Sequence, residues 1–272
     1  MNRIKRLATK SPLAFGFAAT FVFILLTIIA AIVASALWSG DTPEWYIGST
    51  VARLVTILIV LAPLALLGWL SSAGFARIGS WQTWLIALLA LAYAVPTTAY
   101  AMTGNVNFSF SDPMTAVAAA VFIMGHAFLE EAAFRGLILH AFARAWGKTS
   151  SGLIKSVLFS ALLFGGYHLI YIIGEPPAVV LLRVVTGFSL GIFFAALALS
   201  GRSIYPAAFA HGVINLAAYL NLASNSAEGT PSGWLWVSLL MIPLAVLGLT
   251  ILRGLRPRPV VLDAAQAWQG EL

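Results

Sequence analysis

The chain alternates between long apolar blocks and short polar connections. Each block has about 20 residues or more, the length that a helix needs to cross about 30 Å of hydrocarbon. The connections, such as "SSAGFARIGS" and "NSAEGTPSG", are rich in residues that end helices. The pattern predicts an all-α polytopic membrane protein with about eight transmembrane helices, at residues 13–38, 50–71, 83–103, 114–144, 152–173, 178–199, 204–223 and 233–252.

Composition excludes a soluble globule. Of the 272 residues, 61% are hydrophobic and 9% are charged, whereas soluble domains have about a quarter charged residues. The chain has no cysteine, which excludes disulfides, thiolate metal sites and thiol nucleophiles. No repeat or linker divides the chain, so residues 1–272 are predicted to form a single transmembrane domain, with an interfacial or disordered tail at 253–272.

The distribution of charge predicts the orientation. Under the eight-span prediction one set of loops and ends carries twelve basic residues, and the opposite loops carry acidic residues only. Lys and Arg collect on the cytoplasmic side, so both termini are expected there. No basic run interleaved with aromatic residues appears, and no nucleic-acid partner is predicted. The basic residues on this side are Arg3, Lys5, Arg6, Lys10, Arg77, Arg144, Lys148, Lys155, Arg202, Arg253, Arg256 and Arg258.

A few ionisable residues fall within the predicted spans, where a charged group needs a partner or a wet cavity. Arg53 and Arg183 lie near the outer ends of their spans, where a long side chain can reach the interface. His140 lies near a cytoplasmic end, and a packing role is expected for it. The deeper polar residues are His126, Glu130, Glu131 and Arg135 on the fourth span, His168 on the fifth, and His211 and Asn215 on the seventh.

Helical spacing separates the two glutamates. Glu131 and Arg135 are four residues apart and share a face, so this carboxylate is expected to be neutralised by the arginine. Glu130 is rotated by roughly 100° from Glu131 and faces other partners, His126 among them. At 1.5 Å per residue, Glu130, His168 and Asn215 each lie about 20 Å from a basic residue at the cytoplasmic ends. We therefore expect these groups to meet at one depth.

These side chains have the chemistry of amide hydrolysis. A carboxylate and an imidazole can together remove a proton from water. A second imidazole and an amide can donate hydrogen bonds to the oxyanion that forms when water attacks a carbonyl. Serine, cysteine, metal and cofactor are not needed for this scheme, and no cofactor is predicted.

Three motifs resemble those of a known family. "EEAAFR" (Glu130–Arg135) is similar to the EExxxR motif of the CPBP intramembrane proteases, the CAAX-protease and bacteriocin-processing family, which includes abortive-infection-like proteins. "FGGYH" (Phe164–His168) is similar to its FxxxH motif, and "HGVIN" (His211–Asn215) to its HxxxN motif. The motifs lie in the family's order on separate spans, within a motif core at about 114–223.

The resemblance implies an eight-helix intramembrane glutamic endopeptidase whose cavity opens towards the cytoplasm. By this analogy Glu130 and His168 activate the water, His211 and Asn215 stabilise the oxyanion, and Glu131 and Arg135 support the site. The expected partners are the lipid bilayer and a peptide or membrane-protein substrate, in a bacterial cytoplasmic membrane. Neither the substrate's identity nor the oligomeric state follows from the sequence, and prenylated substrates are not inferred.

Two alternatives stay open. Glu130, His168 and His211 could bind zinc as three ligands with an open fourth position, although HExxH is absent and no carboxylate flanks either histidine in the sequence. Alternatively, intramembrane Glu, His and Arg could form a proton relay in a transporter, or a site that binds a peptide without cleaving it, as in an immunity protein.

Overall fold

The computed structural model describes residues 3–38, 42–92, 94, 113–223 and 231–255. These residues form helices and short connections and include no β-strand, which confirms the all-α prediction. The elements are α1 (Arg3–Lys10), α2 (Pro12–Leu37), α3 (Pro43–Leu66), α4 (Trp81–Ala87), α5 (Pro113–Glu131), a π-helical segment (Ala132–Leu139), α6 (His140–Trp146), α7 (Ser150–Tyr167), a 3-10 segment (His168–Ile173), α8 (Pro177–Gly201), α9 (Tyr205–Ala223) and α10 (Pro231–Gly254).

Local sequence signals explain where many of the helices begin. Several start at a proline, whose fixed φ suits the first helical turn and whose missing N–H would have no helical partner there. Helices α3, α4 and α7 follow a hydroxyl residue that accepts a hydrogen bond from the first turn, which satisfies one otherwise unpaired donor. These capping residues are Thr42, Ser80 and Thr149.

Within the described residues, six helices are long and apolar enough to cross a membrane. They include one continuous helix over Pro113–Trp146, which joins α5, the π-helical segment and α6. The chain is therefore an integral membrane protein. The count of eight, the cytoplasmic termini and the single-domain arrangement stay predictions. Part of the predicted third span and the tail from 256 lie outside the described residues.

The second span begins earlier than its hydropathy predicts. Helix α3 starts at Pro43, after the cap at Thr42, whereas the predicted span begins at 50. The first turns of this helix are less apolar, so hydropathy alone places its boundary about two turns too late. The shift matters for Arg53, which lies ten residues inside the helix and not near its end.

Burial separates peripheral helices from central ones. In the most apolar window of α2 and of α3, 22% and 28% of residues are buried, against 56% for Pro113–Trp146 and 61% for α8. Large side chains on α2 such as Phe17, Phe21 and Ile32 are exposed at the protein surface, as lipid-facing residues are. The polar candidates lie on the central helices, because only those can shield ionisable groups from lipid.

The π-helical segment Ala132–Leu139 follows the two glutamates directly and lies at the centre of the bundle. All of its residues are buried. Gly136 allows the Phe75 ring to pack closely against the helix, since a Cβ at this position would lie 2.7 Å from two atoms of that ring. π-Helical turns in proteins frequently occur at functional sites, and this segment was not predicted from the sequence.

Candidate active site

The four residues predicted to be catalytic line a single cavity of about 220 Å³. Glu130 comes from α5, His168 from the start of the 3-10 segment, and His211 and Asn215 from α9. Apolar side chains, including Phe122, complete the walls together with α8. The convergence that helix depth predicts is therefore present in the structure. It leaves the roles of these residues open.

Glu131 and Arg135 contact each other as their four-residue spacing predicts. Arg135 Nη1 lies 3.0 Å from Glu131 Oε1, and both side chains are completely buried. This contact is an ion pair without a well-aligned hydrogen bond, because Nη1 has no hydrogen-bond partner within the described part of the chain. Arg135 Nη2 donates to the carbonyl of Gly191 at 3.3 Å, and the guanidinium lies 4.3 Å from the centre of the Phe164 ring.

Glu130 faces different partners, as its rotation from Glu131 predicts. Its Oε1 lies 3.0 Å from His126 Nε2, and its Oε2 lies 3.4 Å from His211 Nε2. The residue is 3% exposed. Two imidazoles, one from its own helix and one from α9, therefore hold this carboxylate at the edge of the cavity.

Arg53 fixes the tautomer of His126. Its Nε donates to His126 Nδ1 at 3.1 Å, so Nδ1 is the acceptor nitrogen of that ring. His126 Nε2 then carries the hydrogen and donates it to Glu130. The expectation that Arg53 reaches towards the interface is wrong, because α3 begins at Pro43 and places Arg53 at the level of the polar residues.

His168 is oriented by the backbone of its own helix. Its Nδ1 lies 2.9 Å from the carbonyl oxygen of Phe164, which can only accept, so Nδ1 carries the hydrogen. The lone pair is therefore on Nε2, the nitrogen that can act as a base or a ligand. His168 makes no ion pair with Glu130 in the described structure, and both residues line the cavity.

His211 contacts both glutamates. Its Nδ1 lies 2.9 Å from Glu131 Oε1 and its Nε2 3.4 Å from Glu130 Oε2. The ring stacks on Phe194, with 4.9 Å between centroids. Glu131 thus orients a histidine of the cavity in addition to pairing with Arg135, a link that helix geometry within one span could not predict.

Two further residues of the cavity come from α8. Gly187 packs against the His168 ring, since a Cβ added there would lie 3.0 Å from Nδ1. Arg183 forms a two-pronged ion pair with Glu175, at 2.5 and 2.7 Å, in the turn before α8. Its side chain thus extends towards the outer end of its helix, and its interfacial position stays a prediction. The charge of Arg183 within a predicted span is a sequence signal that could have identified it as a cavity residue. Gly187 has no comparable signal in the sequence.

The described residues contain no group of three His, Asp or Glu side chains arranged to hold a metal ion. One argument against zinc nevertheless fails. Zinc-bound histidines usually donate their second N–H to a carboxylate or carbonyl, and no carboxylate flanks either histidine in the sequence. In the structure, Glu131 supplies that carboxylate to His211, and the Phe164 carbonyl orients His168.

A multi-helix membrane bundle with carboxylates and imidazoles at its centre has the parts of an intramembrane hydrolase. Residues 112–217 match the family model described as Rce1-like, type II CAAX prenyl endopeptidase. This part of the chain contains all three motifs, and the family it matches is the CPBP peptidase family, as the motifs predict. The match supports an intramembrane protease that acts on a peptide substrate. It has no match among curated proteins and none among solved structures.

The cavity lies in the half of the bundle away from the basic helix ends. Its residues on α8, from Arg183 to Leu190, follow the acidic turn at Glu175, and its residues on α9 extend from His211 to Tyr219. The positive-inside orientation places this half away from the cytoplasm. For a cavity at this level, the cytoplasmic opening implied by the family resemblance and the orientation predicted from charge point to opposite sides of the membrane, and both stay predictions.

We predict that Gly187→Ala lowers peptide turnover about tenfold, because His168 is predicted to be catalytic and misplacing a reacting group by even a fraction of an ångström is costly. The added Cβ would press on the His168 ring at Nδ1. Gly166→Ala is the matched control, since a Cβ there meets nothing within 4 Å. Turnover and melting temperature are measured for both. Unchanged turnover in Gly187→Ala would show that His168 tolerates displacement.

Proposed function

We propose that the chain hydrolyses a peptide bond inside the membrane with a water molecule activated by Glu130 and His168. The observation that carries this proposal is the single cavity lined by Glu130, His168, His211 and Asn215. We further propose that it acts in peptide or membrane-protein processing in a bacterial cytoplasmic membrane. Prenylated substrates, which the family's name mentions, are not part of the proposal.

The proposed base is shared between Glu130 and His168. Both line the cavity without touching each other, so a water molecule can lie between the carboxylate and His168 Nε2. The hydrogen bond from Nδ1 to Phe164 keeps the Nε2 lone pair available. Proton transfer from this water to either group generates the nucleophile, and the protonated group can later donate to the leaving amine.

The proposed oxyanion donors are His211 and Asn215. These residues lie one turn apart on α9, and both line the cavity. His211 has a carboxylate oxygen near each ring nitrogen, and a hydrogen on both nitrogens makes both contacts favourable. In that form Nε2–H can turn from Glu130 to a developing oxyanion, which preorganised donors stabilise most effectively in a water-poor site.

Arg53 and His126 are proposed as positioning residues. The sequence of hydrogen bonds from Arg53 Nε to His126 and from His126 Nε2 to Glu130 Oε1 fixes one carboxylate oxygen. The other oxygen is then held towards His211 and the cavity. Glu130 is thereby charged and oriented before substrate arrives, which reduces reorganisation during the reaction.

A zinc-dependent variant of the same reaction is the second candidate. It is favoured by the orientation of both cavity histidines, whose Nδ1 atoms are held by the Phe164 carbonyl and by Glu131. His211 Nε2 would then bind the metal in place of its present contact with Glu130. Glu130 would then serve as a third ligand or as the base. Metal content and sensitivity to chelators distinguish the two mechanisms without altering the proposed reaction.

We expect Glu130→Gln and His168→Ala each to abolish cleavage of a peptide library by the purified protein, because each removes a group that activates water. Glu44→Gln, an exposed acid in the first turn of α3, is the control and should cleave normally. Unchanged melting temperatures show that the variants are folded. If both variants cleave like the parent, the chain is not the proposed enzyme. Stoichiometric zinc with loss of activity in chelator would favour the second candidate.

His126→Ala is expected to lower kcat about 10- to 100-fold with little change in KM, the usual scale for a residue that orients a reacting group. His126→Gln keeps a donor for Glu130 and should recover part of the loss. The matched control is His140→Gln, since this buried histidine of the same long helix contacts Ser72 and no carboxylate. Equal kinetics of His126→Ala and the parent would remove His126 from the mechanism.

We also propose that substrate enters the cavity from the side opposite the basic ends, which charge places away from the cytoplasm. In right-side-out vesicles, a membrane-impermeant maleimide should label Gly174→Cys, at the exposed turn near Arg183. It should label Lys148→Cys only after permeabilisation. Because the chain has no other cysteine, the signal is specific. The reverse labelling pattern would place the opening on the cytoplasmic side.

A further inference from the structure

We propose that the chain has a second site, on the face that carries the basic residues, which binds a phosphate group. A cavity of about 100 Å³ lies there, separate from the one that contains Glu130. Its lining includes three arginines, Arg77, Arg135 and Arg202, together with His140. No Asp or Glu is among its lining residues in the described structure.

Arg135 is the buried arginine in the wall of this cavity. It is 2% exposed, and its guanidinium has five N–H donors. Nη2 donates to Gly191, but Nε and Nη1 have no hydrogen-bond acceptor among the described residues, although Glu131 lies near Nη1 as a charge. These buried donors are closed to solvent, so Arg135 contributes positive charge behind the cavity wall and does not itself bind the ligand.

Arg77 and Arg202 provide exposed positive charge at the mouth of the same cavity. The two chain segments that contain them are joined by a backbone hydrogen bond, because Ile204 N donates to the carbonyl of Gly74 at 3.3 Å. Arg202 ends α8 in the left-handed region with φ 52°, where glycine is usual. The chain thus has an arginine at a position whose backbone disfavours it, at the mouth of a cavity lined by basic residues.

The size and charge of the cavity select the ligand. Its volume accommodates a single phosphate group but not a peptide segment. Arginine forks match phosphate oxygens in geometry and charge. At a basic membrane face, this phosphate could belong to an anionic lipid headgroup or to a free phosphate compound. The shared chemistry is the phosphate, and the experiment separates its two sources.

The site lies on the opposite side of Arg135 from the proposed active site. Phosphate bound there would lie beside Arg135, whose guanidinium pairs with Glu131, which in turn orients His211. Occupancy of this cavity would therefore stabilise the charge arrangement behind the proposed catalytic residues. Binding itself does not depend on the proposed protease mechanism, so a failure of one can be distinguished from a failure of the other.

The test is thermal unfolding of the full chain in neutral detergent, followed by tryptophan fluorescence. One titration uses inorganic phosphate against chloride at equal ionic strength. The other uses mixed micelles with phosphatidylglycerol against phosphatidylcholine. We expect a saturable rise in Tm with at least one phosphate source. In the double variant Arg77→Gln/Arg202→Asn, the apparent Kd should be weaker by about tenfold or more, because charge-assisted hydrogen bonds are lost.

The design separates this site from general attraction to a basic face. Asn at 202 tolerates the left-handed backbone, so the variant should fold. Lys10→Gln/Lys148→Gln removes the same charge from exposed residues outside the cavity and should bind like the parent. Stabilisation by phosphatidylglycerol alone identifies a lipid headgroup, and stabilisation by inorganic phosphate identifies a free phosphate site. No saturable effect, or equal weakening in both double variants, would overturn the proposal.

Discussion

The buried ion pair between Glu131 and Arg135 is the contact on which the polar centre of the bundle depends. Both side chains are completely buried, so removing either would leave an uncompensated charge, which commonly costs about 3–5 kcal/mol. The pair also connects helices, because Arg135 reaches Gly191 on α8 while Glu131 reaches His211 on α9. One electrostatic requirement therefore fixes the relative positions of three helices and the orientation of a cavity histidine.

Apart from His211, which contacts both glutamates, Glu130 and Glu131 have different partners, and this difference gives the two neighbouring carboxylates different environments. Arg135 balances the charge of Glu131 directly, whereas Arg53 acts on Glu130 through His126. Glu130 also borders the cavity. Glu131 is enclosed among protein groups, whereas Glu130 has room for water beside it. Their different rotation about one helix is the cause of this difference.

Sequence reasoning succeeds where the information lies within one helix or in a motif. The Glu131–Arg135 contact follows from spacing, and the shared depth of Glu130, His168 and Asn215 follows from the rise per residue. It fails where a residue's position depends on the exact start of a helix or on which neighbouring helix packs against it. Hydropathy begins the second span too late, and Arg53 is consequently assigned to the interface. The His211–Glu131 contact and the packing of Gly187 on His168 require knowledge of which faces meet.

Charge and the family resemblance predict opposite sides of the membrane for the cavity that contains Glu130. Charge asymmetry orients the chain because translocating Lys and Arg is costly, whereas the family resemblance assigns an opening by analogy. The cavity extends from Glu130 towards the acidic turn at Glu175, and the arginine-lined cavity lies on the other side of Arg135. We give the charge argument the greater weight because it uses this chain's own residues. On the two proposals made above, the basic face binds anions and the opposite half binds substrate.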